Sequence, residues 1–327
     1  MGVKLKDIIE PEKISFKDLE GRSVSIDAFN TLYQFLSTIR QRDGQPLCDE
    51  NGNITSHLSG ILYRNSSIAE KGIKPIYVFD GKPSELKKKT IEKRREIRNE
   101  SEQKWKEAIE SGDEKKAQKY AKRSSKLTPE IIESSKKLLT LMGIPYVEAK
   151  SEGEAQAAYL VRNGDAYAVA SQDYDCLLFG AKRIVRNLAV NSNMGNLEYY
   201  ELRSVLHELN ISHEDLIKMG ILIGTDFNEG LRRVGSKTAL KLAEKNRLDD
   251  KICELQKLTD YDLDDVYNIF LNHDVNTDYE IKWSKADREG LVEFLCYEHG
   301  FSESRVLKAA DKLKKLTSSQ GSLDAWF

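Results

Sequence analysis

The sequence predicts an α/β fold: a mostly parallel central sheet with helices on both faces, broken by a helical insertion and followed by a helical C-terminal half. Three observations carry this expectation. Short β-branched or aromatic runs alternate with longer stretches of helical periodicity in the first part of the 327-residue chain, the pattern of parallel strands joined by crossover helices. A Lys/Glu-rich stretch from Lys82 to Lys126 interrupts that alternation. A second helical region follows Asn210, punctuated by Gly224, Gly230 and Gly235.

In chain order, Ser23–Asp27, Pro75–Asp80, Ile144–Glu148, Ala166–Ser171 and Arg183–Asn187 read as strands, and Thr31–Arg40 and Leu58–Glu70 as helices between them. The 82–126 stretch has few large apolar residues and would make a poor core helix; Ser111-Gly112-Asp113 divides it into two helical halves. It holds 16 Lys/Arg against 9 Asp/Glu, a net +7, so with a whole-chain charge of −2 the remainder carries −9. Such segregation suits a basic arch that tracks nucleic-acid phosphates beside an acidic pocket that holds cations. The chain closes with a Lys-rich helix and then Thr317-Ser318-Ser319-Gln320-Gly321-Ser322, which reads as a flexible tail.

Composition excludes several classes. Charged residues make up 32 % and hydrophobic ones 39 %, which fits a soluble globular protein. No apolar run approaches the roughly 18–20 residues of a membrane span. The start, Met1-Gly2-Val3-Lys4-Leu5-Lys6, lacks the apolar core of a signal peptide, so the expected location is intracellular, in the cytoplasm or nucleoid. Cys48, Cys176, Cys253 and Cys296 are far apart and read as buried, reduced thiols; the five histidines are equally scattered, and neither set suggests zinc.

The acids carry the functional argument. Three expected strands end in carboxylates, at Asp27, Asp80 and Asp173/Asp175, and in an open α/β sheet ligands bind beyond the carboxyl ends of the strands. Glu152 and Glu154 precede the helical run Ala155–Val161, with Ser151 and Glu154 at capping-box spacing that would set both glutamates in the first turn. Asp226 follows the apolar run Ile221–Ile223 and Gly224-Thr225. Any one of these acids has an ordinary structural explanation in turn chemistry or helix-dipole complementation. Seven converging carboxylates do not, because two like charges 4 Å apart repel by about 4 kcal/mol at an effective dielectric near 20. Divalent cations relieve this, and an all-oxygen set suits Mg²⁺ or Mn²⁺. Two such ions can activate water and stabilise both oxygens of an in-line phosphoryl displacement.

Four blocks then resemble the signatures of flap endonucleases, in that family's order and spacing: Asp80-Gly81-Lys82-Pro83, Ser151-Glu152-Gly153-Glu154-Ala155-Gln156-Ala157-Ala158, Gln172-Asp173-Tyr174-Asp175 and Gly224-Thr225-Asp226-Phe227. The resemblance spans the chain and is nearest to the archaeal and eukaryotic replication type. It implies that Asp27, Asp80, Glu152, Glu154, Asp173, Asp175 and Asp226 are metal-site carboxylates. It implies that Lys87 and Arg94 engage the scissile phosphate and that Tyr33 stacks on a base beside the cut, although a core tyrosine is an equally simple reading of that residue. Gly2 resembles the N-terminal residue that packs beside the active site, and Thr55-Ser56-His57-Leu58 the segment that helps hold a one-nucleotide 3′ flap. The implied protein is a single nuclease domain over roughly 1–316, with an arch over roughly 82–128 and a duplex-binding, helix–hairpin–helix-like region over roughly 210–316. It implies a monomer that cuts 5′ flaps endonucleolytically, with 5′-3′ exonuclease activity, in Okazaki-fragment processing and repair.

One block departs. Where family members show Pro-Gly-Ile-x-Gly-Ile-Gly-Pro-Lys, this chain reads Glu229-Gly230-Leu231-Arg232-Arg233-Val234-Gly235-Ser236-Lys237. In the family this hairpin binds one strand of the downstream duplex through backbone groups and a monovalent ion. Gly235 and Lys237 still suit phosphate contact, while Arg233 stands in place of a turn glycine. The stretch is a near-miss to a nucleotide-binding P-loop, with Ser236 before Lys237 and no strand leading in. The tail, 317–327, contains Gln320, Leu323, Trp326 and Phe327 in a Q-x-x-L-x-x-aromatic-aromatic pattern, which resembles the motif docking replication enzymes on the sliding clamp. The competing readings are another nuclease of the superfamily and a non-catalytic DNA- or clamp-binding scaffold; the complete set of seven acids disfavours the scaffold.

Overall fold

A computed structural model describes residues 2–188 and 197–317. The clamp-motif residues Gln320, Leu323, Trp326 and Phe327 lie outside the described residues. The strands are β1 (Glu12–Ile14), β2 (Ser23–Asp27), β3 (Lys74–Phe79), β4 (Tyr146–Glu148), β5 (Ala168–Ala170), β6 (Arg183–Arg186) and β7 (Leu197–Glu201), in the sheet order β1-β7-β6-β5-β2-β3-β4. The five strands from β6 to β4 are parallel to one another. β7 and β1 add an antiparallel edge, which sequence patterning missed: Glu-Lys-Ile is too short and polar to alternate, and Leu-Glu-Tyr-Tyr-Glu of β7 does not alternate either.

Residues alternate cleanly between the two faces. Ile76 and Val78 enter one buried cluster with Val169 and Ile184, while Tyr77 and Phe79 enter the other with Val24, Ile26 and Val185. Both faces are therefore dry and covered by helices, as a parallel sheet requires. β2 continues to β3 on one side and is paired with β5 on the other, so the strand order reverses between β2 and β5. Ligands of open α/β sheets bind at such a reversal, at the carboxyl ends.

The helices in the first half are α1 (Ala28–Thr38), α2 (Ser56–Glu70), α3 (Lys88–Glu110), α4 (Glu114–Arg123), α5 (Pro129–Leu141), α6 (Gly153–Asn163) and α7 (Asp175–Leu178). The second half adds α8 (Leu202–Leu209), α9 (His213–Ile223), α10 (Ser236–Glu244), α11 (Leu248–Gln256), α12 (Leu263–Leu271), α13 (Arg288–Val292) and α14 (Glu303–Leu313). None is long and apolar enough to cross a membrane. The insertion is the helical pair α3/α4, broken at Gly112 with φ +70°. Only Ser101 and Ala108 of α3 are buried. The pair docks on the turn after α1 through Gln118 Nε2 donating to Arg42 O (2.8 Å) and Arg40 Nη2 donating to Ser125 Oγ (2.8 Å).

Two sequence readings are corrected. Of the four free thiols only Cys176 is buried; Cys48 and Cys253 are exposed and Cys296 is intermediate. Ser151 forms no capping box: its carbonyl accepts Gly81 N–H at 2.7 Å, and Glu152, with extended backbone, is the N-cap residue of α6. Only Glu154 therefore sits in the first turn. The hairpin before α10 keeps its turn without the glycine, because Arg233 itself adopts φ +67°. A left-handed conformation costs a non-glycine residue about 1–2 kcal/mol. Arg233→Gly is accordingly expected to raise the free energy of unfolding by about 1 kcal/mol in urea denaturation.

Candidate nuclease active site

Sequence and fold together put the acids around one crevice. Asp27 ends β2, Asp80 follows β3, and Asp173 and Asp175 follow β5. Asp27 caps α1, accepting Asn30 N–H at 3.0 Å. Asp80 caps α6 from across the crevice, its Oδ1 accepting Gly153 N–H at 2.5 Å. A Cβ at position 153 would lie 2.5 Å from the same Asp80 oxygen, so any larger residue there has to displace that carboxylate. The N-termini of α1 and α6 thus face the acids, and their dipoles favour negative charge.

The N-terminal segment closes one side. Gly2 N–H donates to Asp173 Oδ1 (3.3 Å) and Val3 N–H to Asp175 Oδ1 (2.5 Å). A Cβ on Gly2 would meet Asp175 at 2.7 Å, so the residue is seated against the acids as the resemblance implied. Asp226 arrives from the helical half. Gly230 packs so closely on the end of α9 that a Cβ would lie 2.3 Å from Ile223 backbone, and Leu231 N–H donates to Leu222 O at 2.8 Å. That turn carries Asp226 back to the base of α3.

Two cations enter the cluster there. Lys87 Nζ bonds Glu152 and lies 3.8 Å from Asp226, and Arg94 Nη2 bonds both Asp226 oxygens at 2.6 and 2.8 Å. Burial is the largest influence on Lys87 and pulls its pKa down, but Glu152, Asp226 and Asp80 outweigh it and hold the ammonium above its ordinary range. The acids respond in the opposite sense. Burial, then Asp80 and Asp173, push Asp27 up to about 7 despite the Asn30 N–H. Burial raises Asp80 to about 6 against the pull of Lys87, and raises Asp175 to about 7 against the Val3 N–H. Glu154 is raised well above its usual value by burial and by Asp175, Asp173 and Asp27.

Among the described residues, no three acid, histidine or cysteine side chains stand as a group that could hold a metal ion in this arrangement. Lys87, Arg94, Asn30, Gly2, Val3 and Gly153 each occupy carboxylate oxygens of these acids. The donor set still fits divalent ions. Glu152 Oε1 is buried with no hydrogen-bond partner, Glu154 Oε1 lies 4.0 Å from Cys176 Sγ, and acids held this far above their ordinary pKa values gain most from a cation.

The remaining expected site residues separate. Tyr33 is half-buried under the arch, with the Arg98 guanidinium 4.7 Å from its ring centroid, so it is not a core tyrosine. Thr55 is buried at the N-cap of α2, its N–H on Leu47 O at 2.7 Å, apart from the acids. Gly235 is the N-cap of α10, and Lys237 is exposed in that helix's first turn. Asn30 was missed: its Nδ2 donates to Asp173 Oδ2 at 3.0 Å, so one residue ties Asp173 to Asp27. Its position three residues after a strand-end aspartate is a signal that could have pointed to it.

Known proteins match this arrangement along the whole chain. The XPG N-terminal domain model matches residues 1–101, and the XPG I-region model residues 143–226. A protein named Flap endonuclease 1 in Methanobrevibacter smithii is 70 % identical over 327 residues, covering 100 % of both chains. The chain belongs to the flap endonuclease family. Flap endonuclease 1 of Methanothermobacter thermautotrophicus is 55 % identical, again with 100 % of both chains covered. The solved structure of flap endonuclease-1 from Methanococcus jannaschii superposes with a TM-score of 0.78 at 46 % identity, covering 96 % of this chain and 99 % of that one. The α/β fold with its acid-lined crevice is therefore a flap endonuclease fold.

Proposed function

We propose that this flap endonuclease binds branched DNA with a free 5′ single strand and hydrolyses one phosphodiester near the junction, leaving a 5′-phosphate. The observation that carries this reading is the pairing of Lys87 with Glu152 and Asp226, and of Arg94 with Asp226, at the base of a basic arch. Asp27, Asp80, Glu152, Glu154, Asp173, Asp175 and Asp226 would hold two Mg²⁺ ions, with Mn²⁺ able to substitute. Bound there, such ions supply an activated water and neutralise charge on the phosphoryl oxygens.

The chain's own residues do the rest. Lys87 and Arg94 exchange their carboxylate partners for the scissile phosphate and stabilise the charge that grows on it. Tyr33 offers an aromatic face to a base next to the cut. The arch guides the 5′ strand, and the helical half grips the downstream duplex through Gly235 N–H and Lys237, with a monovalent ion at the hairpin. Thr55 belongs to the segment receiving a 3′ flap. The enzyme acts as a monomer in the cytoplasm or nucleoid, with 5′-3′ exonuclease activity, in Okazaki-fragment processing and repair.

Flap, nicked and four-way junction DNA compared under single turnover with Mg²⁺ test this reading. The flap is expected to be cut fastest; preference for the four-way junction would favour a junction-resolving relative instead. Lys87→Ala is expected to slow flap cutting by about 10²-fold, the usual loss for one transition-state donor, and an unchanged rate would remove Lys87 from the mechanism. Deletion of Gln320–Phe327 is expected to abolish stimulation by the sliding clamp and spare basal cutting; equal stimulation of the shortened chain would refute the tail's role.

A further inference from the structure

The two acids after β5 are held from the opposite side by a residue that no part of the reading above uses. Arg186, at the end of β6, donates from Nε to Gln172 O at 3.1 Å. Its Nη1 donates to Tyr174 Oη at 2.7 Å and to Glu198 Oε2 at 2.6 Å. The guanidinium lies 4.4 Å from the Tyr174 ring centroid. Tyr174 in turn meets Tyr200 edge-on, centroids 5.5 Å apart, with the two hydroxyls 3.2 Å from each other. Both tyrosines are buried. One side chain therefore grips the residue before Asp173 and the residue between Asp173 and Asp175, and anchors both to β6 and β7.

We propose that Arg186 is a positioning residue that sets the spacing of Asp173 and Asp175. This rests on reading those acids as metal ligands. Gly2, Val3 and Asn30 hold the carboxylates themselves, and Arg186 holds the neighbouring residues, through Gln172 O and Tyr174 Oη. The planar fork serves three acceptors at once and stacks on a ring, which a lysine ammonium cannot reproduce. Partners that orient ligating carboxylates typically control metal affinity by about 10–100-fold.

The test is Mn²⁺ uptake by the metal-free full chain, followed by the electron paramagnetic resonance of free Mn²⁺, for wild type, Arg186→Lys and Arg186→Met. Both variants are expected to bind Mn²⁺ at least about tenfold more weakly, with flap-DNA affinity in EDTA within about twofold of wild type because Arg186 touches no expected DNA contact. Arg186→Lys keeps the charge beside Glu198 and is expected to stay folded, so it decides the matter if Arg186→Met does not fold. A folded Arg186→Lys with wild-type Mn²⁺ affinity overturns the proposal, and a lowered melting temperature with unchanged affinity assigns Arg186 a structural role only. Failure of the wild type itself to take up Mn²⁺ contradicts the metal reading of the site as a whole.

Discussion

Asp175→Ala is expected to lower single-turnover cutting of a 5′-flap substrate by about 10³-fold, while flap affinity in EDTA stays near that of wild type. Metal ions contribute several kcal/mol to the barrier of phosphoryl transfer, and each ~1.4 kcal/mol is a factor of ten. Asp175 is 3 % exposed, opens α7, and faces Asp226 and Asp173. Its loss removes an acid that joins the β5 end of the crevice to the helical half. On the proposed reading DNA affinity rests on the arch, Gly235 and Lys237, and Asp175 is none of these contacts. Folding should survive, because the mutation orphans the Val3 N–H but also relieves repulsion from Asp173 and Asp226. Rapid-quench cleavage and fluorescence anisotropy check the two halves, and full activity in the variant would remove Asp175 from the metal site.

Stabilisation by Mg²⁺ is expected to grow as pH rises from 5 to 8. Asp27 and Asp175 are held near 7 and Asp80 near 6, against 3.8 in an unfolded chain. The folded cluster thus keeps protons that the unfolded chain has released. Its contribution to stability is full below about pH 4 and is lost as pH rises through 6–7. His57 and His273, held near 4 by burial, work the other way, since folding opposes their protonation below about pH 6.5. The difference in melting temperature between Mg²⁺ and EDTA cancels the histidines and isolates the acids. That difference is expected to be small at pH 5 and roughly 5 °C or more at pH 8. A difference that is flat or falls with pH contradicts the cluster as the binding site.

Much of this was legible in the sequence, for identifiable reasons. β2, β3 and β5 announced themselves because buried parallel strands are short runs of small, β-branched or aromatic residues, and Asp27, Asp80 and Asp173 stood out as acids at their ends. Gly112 divided the arch where expected. What was not legible depends on contacts between distant segments. Ser151 looked like a cap for α6, yet that role falls to Asp80, 73 residues away along the chain. Asn30 and Arg186 read as ordinary polar residues until the fold brought them to Asp173 and Gln172. The pairing of Lys87 and Arg94 with acids is invisible in sequence as well, because nothing local tells a cation that awaits phosphate from one bonded to a carboxylate. At Arg233 the sequence showed the departure, and only the backbone angle shows that the turn accommodates it.

The most direct test of the central claim is single-turnover cleavage of a 5′-labelled double-flap DNA with Mg²⁺ and with EDTA. The account predicts one discrete product cut at the junction with Mg²⁺ and none in EDTA. Cleavage that persists at the same rate in EDTA would contradict it.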